Sequence, residues 1–413
     1  MNELETKPTR HPGWDLELGE PAKRMAMAYP LRLITPMIGG GAVPGQPDKH
    51  NAIRPSAIRG HLRFWWRALQ ADRGAVRVKE DRIWGSDEKH GRVSIRVEVV
   101  KTGDVKLLHQ TSEAELPKYV KGVLVERRDV RDEDRLRVLT SAEFILTLAA
   151  GAGTSEADFD EAKRAVEAWI AFGGLGARVR RGAGALGTPN LSKTSLNGLL
   201  GASPSQAMGL TTLQGATLYL TRPCRKASDA YRAAVTVYEG FRKGFRADQV
   251  KSRMSLALGG QQPYPYESHH SPWPEADSIR AIRGERQLHP RDLGSKLHLP
   301  RARLGMPFTI RMMPSHTGFV RPGQFDTVNA AGPVRLASPV IVKAIQIGNE
   351  YCGAILILKQ PFRAEVVSLS NVSADITFQP TQPPVGMGLA GTKDVRDLFM
   401  QFLDQLGLER VKA

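Results

Sequence analysis

One stretch restricts the fold more than any other. Ile53 to Leu69 reads Ile-Arg-Pro-Ser-Ala-Ile-Arg-Gly-His-Leu-Arg-Phe-Trp-Trp-Arg-Ala-Leu. At about 100° per residue, Ile58, Leu62, Trp65, Trp66 and Leu69 share one face of a helix, and a face holding two tryptophans belongs in a core. Arg59, Arg63 and Arg67 form an i, i+4, i+8 stripe beside it. Like charges at that spacing repel by roughly a few tenths of a kcal/mol per pair, so a helix shaped by stability alone would interleave glutamates. The stripe therefore points to an anionic partner, against the competing reading of a plain solvated basic face. Pro55 and Ser56 mark the start, with Ser56 as the expected N-cap, so free backbone amides and the positive helix end face the same way as Arg54.

Hydrophobic periodicity supplies the neighbours of this helix. A strand is predicted from about Met25 to Thr35, followed by Pro36 and a glycine-rich turn from Gly39 to Gly45. Val93, Ile95, Val97 and Val99 alternate with polar residues, and Phe144, Leu146 and Leu148 repeat the pattern. Between them, Glu126 to Arg137 holds ten charged residues in twelve and reads as an exposed insertion. A helix follows from about Ala157 to Phe172, with Ser155 and Asp158 resembling a capping box. Leu213 to Thr221 is expected to close the half as a strand. The order is β-α-β-β-α-β over about residues 20–225, the ferredoxin-like arrangement. A helix at Tyr231 to Phe245, strands at Phe308 to Met313, Val340 to Ile347 and Cys352 to Leu358, and a helix at Val395 to Leu406 are expected to repeat it. With 413 residues, two domains are expected, residues 1–225 and 226–413. Gln261 to Arg303 is rich in Pro, His and Arg without periodicity and reads as a functional or partly disordered loop.

Directly after the Ala157–Phe172 helix, Phe172 to Gly187 carries six glycines and three arginines. Glycine permits close backbone approach, and Arg178, Arg180 and Arg181 supply planar forks that match phosphate. The pattern describes a phosphate cradle. It contains GxGxxG at Gly182, Gly184 and Gly187, but a dinucleotide site needs a preceding strand, a following helix and an acidic residue about 20 positions on. Here a helix precedes, and residues 191–213 hold no Asp or Glu. A Walker loop fails as well, for want of Gly-Lys-Ser/Thr.

The balance of 58 Lys plus Arg against 42 Asp plus Glu gives +16, which favours nucleic acid over an anionic membrane surface. No run approaches the roughly 20 apolar residues of a membrane span, and the first 24 residues are charged throughout, so no membrane association and a cytoplasmic protein are expected. Cys224 and Cys352 stand far apart, excluding a CxxC zinc site. Among histidines, His61 lies at the edge of the apolar face, away from the stripe, and reads as a buried side chain before it reads as a general acid. His269 and His270 sit in the irregular loop without a recognisable partner. HExxH, GxSxG and DxD-like patterns are absent, which leans towards binding over chemistry.

Five separated blocks resemble the RAMP superfamily of CRISPR systems, in the branch of first subunits of type III-B Cmr complexes. They are Ile53 to Ser56 with Gly60 to Arg67; Gly173 to Arg178; Ser271 to Arg280 with its Trp-Pro-Glu; Arg301 to Pro307, with Met306 in place of Leu; and Arg335 to Pro339. They occur in order between about Tyr29 and Leu358. Ala183 departs from the pattern, where a bulky residue is expected. The resemblance implies an α+β chain of two tandem ferredoxin-like, RRM-like RAMP domains with loop insertions. It implies a non-catalytic subunit near the 3′ part of the guide RNA, with guide crRNA, target RNA and sibling Cmr subunits as partners and no cofactor or metal. Carried over residue by residue, RNA contacts fall on Arg54, Ser56, Arg59, Arg63 and Arg67, and on Gly174, Gly176, Arg178, Arg180, Arg181 and Gly182. Trp273, Arg280 and Arg301 follow as weaker members, while Trp65 and Trp66 are expected to pack before they stack on a base. A metal-independent endoribonuclease processing CRISPR precursor RNA is the alternative, since such enzymes share the fold and the glycine loop.

Overall fold

Alternation of buried and exposed side chains shapes the first sheet. In the computed structural model, which describes residues 25–48, 51–70, 74–121, 135–201, 211–257, 271–282, 284, 287, 297–306, 308–311, 325–330, 336–361, 366–369, 376–379, 383–384, 386–389 and 394–411, Tyr29, Leu31 and Leu33 point inward while Ala28, Pro30 and Arg32 point out. The first half runs β1 (Ala26–Leu33), β2 (Met37–Ile38), α1 (Pro55–Leu69), α2 (Val76–Trp84), β3 (Val93–Thr102), β4 (Val105–Leu107), α3 (Lys118–Lys121), β5 (Arg137–Leu139), β6 (Ala142–Ala150), α4 (Glu156–Phe172), β7 (Leu186–Gly187) and α5 (Lys193–Leu200). Strands β3-β6-β1-β7 form an antiparallel sheet in that order, with β2-β5-β4 as a small side sheet. Helices α1 and α4 cover one face, giving the ferredoxin-like order β1-α1-β3-β6-α4-β7. Ser155 caps α4 by accepting from the Asp158 amide at 3.1 Å. Residues 126–134 of the charged insertion lie outside the described residues, as do His269 and His270.

The fourth strand is not the expected one. It is the two-residue β7 inside the glycine-rich segment, paired with β1 through Arg32–Gly187 and Leu33–Leu186. The segment expected to close the first unit within residues 1–225, now β8 (Thr212–Leu220), instead opens the second. That half continues with α6 (Ala227–Lys243), α7 (Ala247–Ala257), α8 (Pro274–Ile282), β9 (Leu297–His298), β10 (Phe308–Arg311), β11 (Phe325–Ala330), β12 (Val340–Ile347), β13 (Glu350–Lys359), β14 (Val366–Leu369), β15 (Ile376–Gln379), α9 (Val395–Gln405) and β16 (Glu409–Val411). The sheet order β12-β13-β8-β16 repeats the first topology strand for strand, as β8-α6-β12-β13-α9-β16. The inserted strands form a second sheet, β10-β11-β14-β15-β9. Part of the stretch read as an irregular loop is helix α8.

The two units share a core because the sheet β12-β13-β8-β16 is covered on both faces. Ile341, Ile345, Cys352, Ala354, Leu356 and Leu358 pack with the apolar residues of α1, α4 and α5. Val340, Val342, Ala344, Ile355 and Ile357 pack with α6 and α9 on the other side. This explains why β12 and β13 read as continuous apolar runs while β1 and β6 alternate. Lys343 and Gln346 are polar exceptions; Lys343 is fully buried, and its side-chain nitrogen donates to the Ile170 and Gly173 carbonyls at 3.0 and 2.8 Å, at the C-terminal end of α4. The negative end of the helix dipole there offsets part of the cost of charging a buried amine.

Candidate nucleic-acid interface

Helix α1 divides as its periodicity requires. Ile58, Leu62, Trp65, Trp66 and Leu69 are buried, and the Trp66 indole N–H donates to Glu161 at 2.9 Å. The tryptophans are packing residues. His61 lies parallel to the Trp169 ring at 6.5 Å, half-buried, and burial holds its pKa below the ordinary imidazole value. On the opposite side stand the arginines. Arg59 is exposed and reaches the Trp84 carbonyl at 3.4 Å. Arg63 Nε and Arg67 Nη1 both donate to one oxygen of Glu80, each at 2.5 Å, with a third or slightly more of each arginine side chain still exposed. The glutamate expected to be missing from the stripe thus arrives from helix α2. Gly60, between the stripe and Phe64, has open space where a side chain would stand. Ser56 does not cap: the helix begins at Pro55, Arg54 occupies the N-cap position, and no side chain caps it. Arg54 instead donates to the Gly40 and Gly41 carbonyls at 2.9 and 3.1 Å.

The glycine loop proves to be mostly an internal clasp. Gly182 adopts φ +82°, and a Cβ there would lie 2.4 Å from the Tyr231 ring and 2.7 Å from the Val342 carbonyl. Gly174 touches the Gly184 carbonyl in the same sense. Both are corrected from phosphate-cradling positions to close backbone contacts. Arg180 turns into the seam, donating to the Ser338 carbonyl and to Gln360 at 3.4 Å, with its guanidinium 5.8 Å from the Phe64 ring centre. Burial, and secondarily Arg181, lower its pKa to about 10. Arg181 donates to the Val340 carbonyl at 3.0 Å and lies 4.5 Å from the Tyr238 ring centre. Ala183 is fully buried in the second core cluster, so small size suits this clasp where a bulky residue was expected.

Arg178 points the other way. It is exposed and left-handed at φ 61°, the one non-glycine with positive φ among the described residues. A non-glycine residue held there carries backbone strain. Ala177 bridges Ile38, and Gly176 abuts Gly40, so Arg178, Gly176, Gly39 to Gly41 and Arg54 gather at the start of α1.

Three expected contacts move to the interior. Trp273 is fully buried, donating its indole N–H to the Phe241 carbonyl at 2.8 Å. Arg280 is buried in an ion pair with Asp277 at 3.2 Å. Arg301 binds buried Glu275 at 2.9 Å and the Arg242 carbonyl at 2.6 Å. None presents an open face for RNA. Sequence reasoning missed Glu80, Gly60 and Lys343. The usable signal for Glu80 was its i, i+3, i+4 spacing with Ile83 and Trp84. The exposed face of the first sheet carries Ala28, Pro30, Arg32, Arg96, Glu98, Glu143, Ile145 and Thr147, with no aromatic residue. Base stacking in the manner of RRM sheets therefore has no platform there. Among the described residues, no group of three or more His, Cys, Asp or Glu could hold a metal ion, and no helix is long and apolar enough to cross a membrane.

The chain is built of two ferredoxin-like units, the first carrying the arginine helix and the glycine-rich clasp that docks on the second. Residues 30–186 match the RAMP superfamily model. The chain is similar to the CRISPR system Cmr subunit Cmr1-2 of Pyrococcus furiosus, with 27% identity over 179 residues, covering 38% of this chain and 92% of that relative. The crystal structure of Cmr1 from Pyrococcus furiosus in its apo form shares the fold, with a TM-score of 0.50 at 16% identity over 94% of this chain and 99% of that one.

Proposed function

We propose that this chain is a non-catalytic RNA-binding subunit of a type III-B CRISPR (Cmr) effector complex, capping it near the 3′ part of the guide RNA and helping to bind target RNA. Its partners are then guide crRNA, target RNA and sibling Cmr subunits, and its place is the cytoplasm. The observation that carries the reading is the set Arg59, Arg63, Arg67 and Arg178 beside the open backbone of Gly60, with half-buried Arg54 held on the glycine turn next to them. Guanidinium forks over accessible backbone suit phosphate, and pairing between guide and target reads the sequence. Similarity to a relative named as a Cmr subunit supports the assembly.

The test is binding of the purified chain to single-stranded RNA of mixed sequence, followed from low to high salt. About four phosphate contacts give a slope of log affinity against log salt near −3, with little sequence preference. Incubation with repeat RNA in the absence of metal should leave the RNA intact. Site-specific cleavage abolished by His61→Ala would replace this reading with the endoribonuclease one.

A further inference from the structure

Glu80 stands outside every block that carries the family resemblance, yet it organises the stripe. It is 6% exposed, on α2, and one of its oxygens accepts from both Arg63 Nε and Arg67 Nη1 at 2.5 Å. The Trp84 carbonyl, one turn further along α2, receives Arg59 at 3.4 Å. Helix α2 therefore holds all three stripe arginines by one edge. A third or slightly more of each of the Arg63 and Arg67 side chains stays exposed beside that contact. A free arginine loses considerable rotamer entropy on binding, and two arginines four residues apart repel. A carboxylate shared between them removes both penalties before a phosphate arrives.

We propose that Glu80 is a positioning residue for phosphate recognition, presetting Arg63 and Arg67 so that RNA meets fixed guanidinium forks. The proposal rests on the RNA-binding reading of the stripe. It predicts a sign opposite to simple electrostatics, since removing a negative charge beside a polyanion site would by itself tighten binding.

The experiment measures affinity for a single-stranded RNA of about 20 nucleotides across a salt series, with thermal unfolding in parallel. Glu80→Gln keeps the shape and loses the charge. Glu80→Asp keeps the charge but withdraws the carboxylate by a methylene, so it serves even where the glutamine variant unfolds. Both are expected to weaken binding about fivefold, through lost preorganisation, while Arg63→Ala with Arg67→Ala flattens the salt slope by about 1.4. Tighter binding by Glu80→Gln, or unchanged binding by Glu80→Asp, overturns the positioning role while the arginine double variant still upholds the RNA-binding face. An arginine double variant with unchanged affinity and slope overturns both.

Discussion

Arg178 and Arg181 sit three residues apart in one loop, and their substitutions should differ in what they cost the fold. Arg178 holds a left-handed backbone at φ 61°, which costs a non-glycine residue about 1 kcal/mol or somewhat more. Arg178→Gly should change stability by less than about 1 kcal/mol, because the strain relief is offset by the freer unfolded chain and by the loss of the side chain's own interaction. Arg181 makes a charged hydrogen bond to the Val340 carbonyl at 3.0 Å and a close contact with the Tyr238 ring at 4.5 Å. These contribute about 1.5–3 and about 1–2 kcal/mol, offset by relief of repulsion with Arg180, so Arg181→Ala should cost about 2–3 kcal/mol. Urea unfolding measures both. RNA binding supplies the second axis: losing one phosphate contact flattens the salt slope by about 0.7, so the affinity ratio between about 50 and 200 mM salt should shrink about 2.6-fold in Arg178→Gly. Properly folded Arg181→Ala should keep the parent slope. A destabilised Arg178→Gly with an unchanged slope, or an Arg181→Ala costing less than about 1 kcal/mol, refutes the division into outward and inward arginines.

Gly60→Ala should stabilise α1 by about 0.5–1 kcal/mol, since the added methyl meets open space, yet weaken RNA binding by raising the floor between Arg59 and Phe64; tighter RNA binding would remove Gly60 from the interface. Trp273→Phe should cost about 2–3 kcal/mol in urea unfolding by leaving the buried Phe241 carbonyl without its donor, with the salt slope unchanged; a flatter slope would return Trp273 to the RNA surface. Lys343 carries a pKa lowered by burial from an ordinary 10.5 to about 7. Between those values the unfolded chain binds more protons than the folded one, so this residue makes stability rise with pH from about 7 towards 10.5, and the cost of charging it is fully present below about 7. Comparison of Lys343→Met with the parent across that range should show the rise missing from the variant; equal pH dependence would mean that the ammonium is already satisfied by its two carbonyls.

Long periodic elements were legible because their burial follows one repeat. The helix expected at 53–69 spans Pro55–Leu69, and the strand expected at 340–347 spans Val340–Ile347. Strand β7 was hidden because two residues carry no period, and its loss displaced β8 into the wrong sheet. Helix α2 was missed because its buried face, Glu80, Ile83 and Trp84, spans only one turn and offers too short a stripe to stand out. At the candidate interface, residue type was legible and direction was not. Arg178 and Arg180 are two positions apart among glycines; the second is half-buried and donates to the Ser338 carbonyl of the other unit, while the first stands exposed. Composition counts both as equal charges, whereas packing leaves one at the surface and draws the other into the seam.

That seam gives the late sequence blocks a different office from the one their basic and aromatic residues suggest. Trp273 and Arg301 both bond carbonyls at the C-terminal end of α6, those of Phe241 and Arg242, and Arg301 also binds Glu275. The same helix supplies Tyr231, whose hydroxyl donates to the Arg181 carbonyl at 2.7 Å, and Tyr238, beneath the Arg181 guanidinium. Ser338, from the last block, accepts Arg180 at the entry to β12. Buried charges of this kind add little net stability when paired, but losing one partner strands the other at a cost of about 3–5 kcal/mol. The blocks therefore fix where the glycine clasp docks, and the clasp in turn sets where Arg178 stands beside Arg54. Disturbing Glu275 should loosen RNA binding only to the extent that it unseats α6, so its effects on affinity and on stability should track each other, whereas those of Arg178 should not.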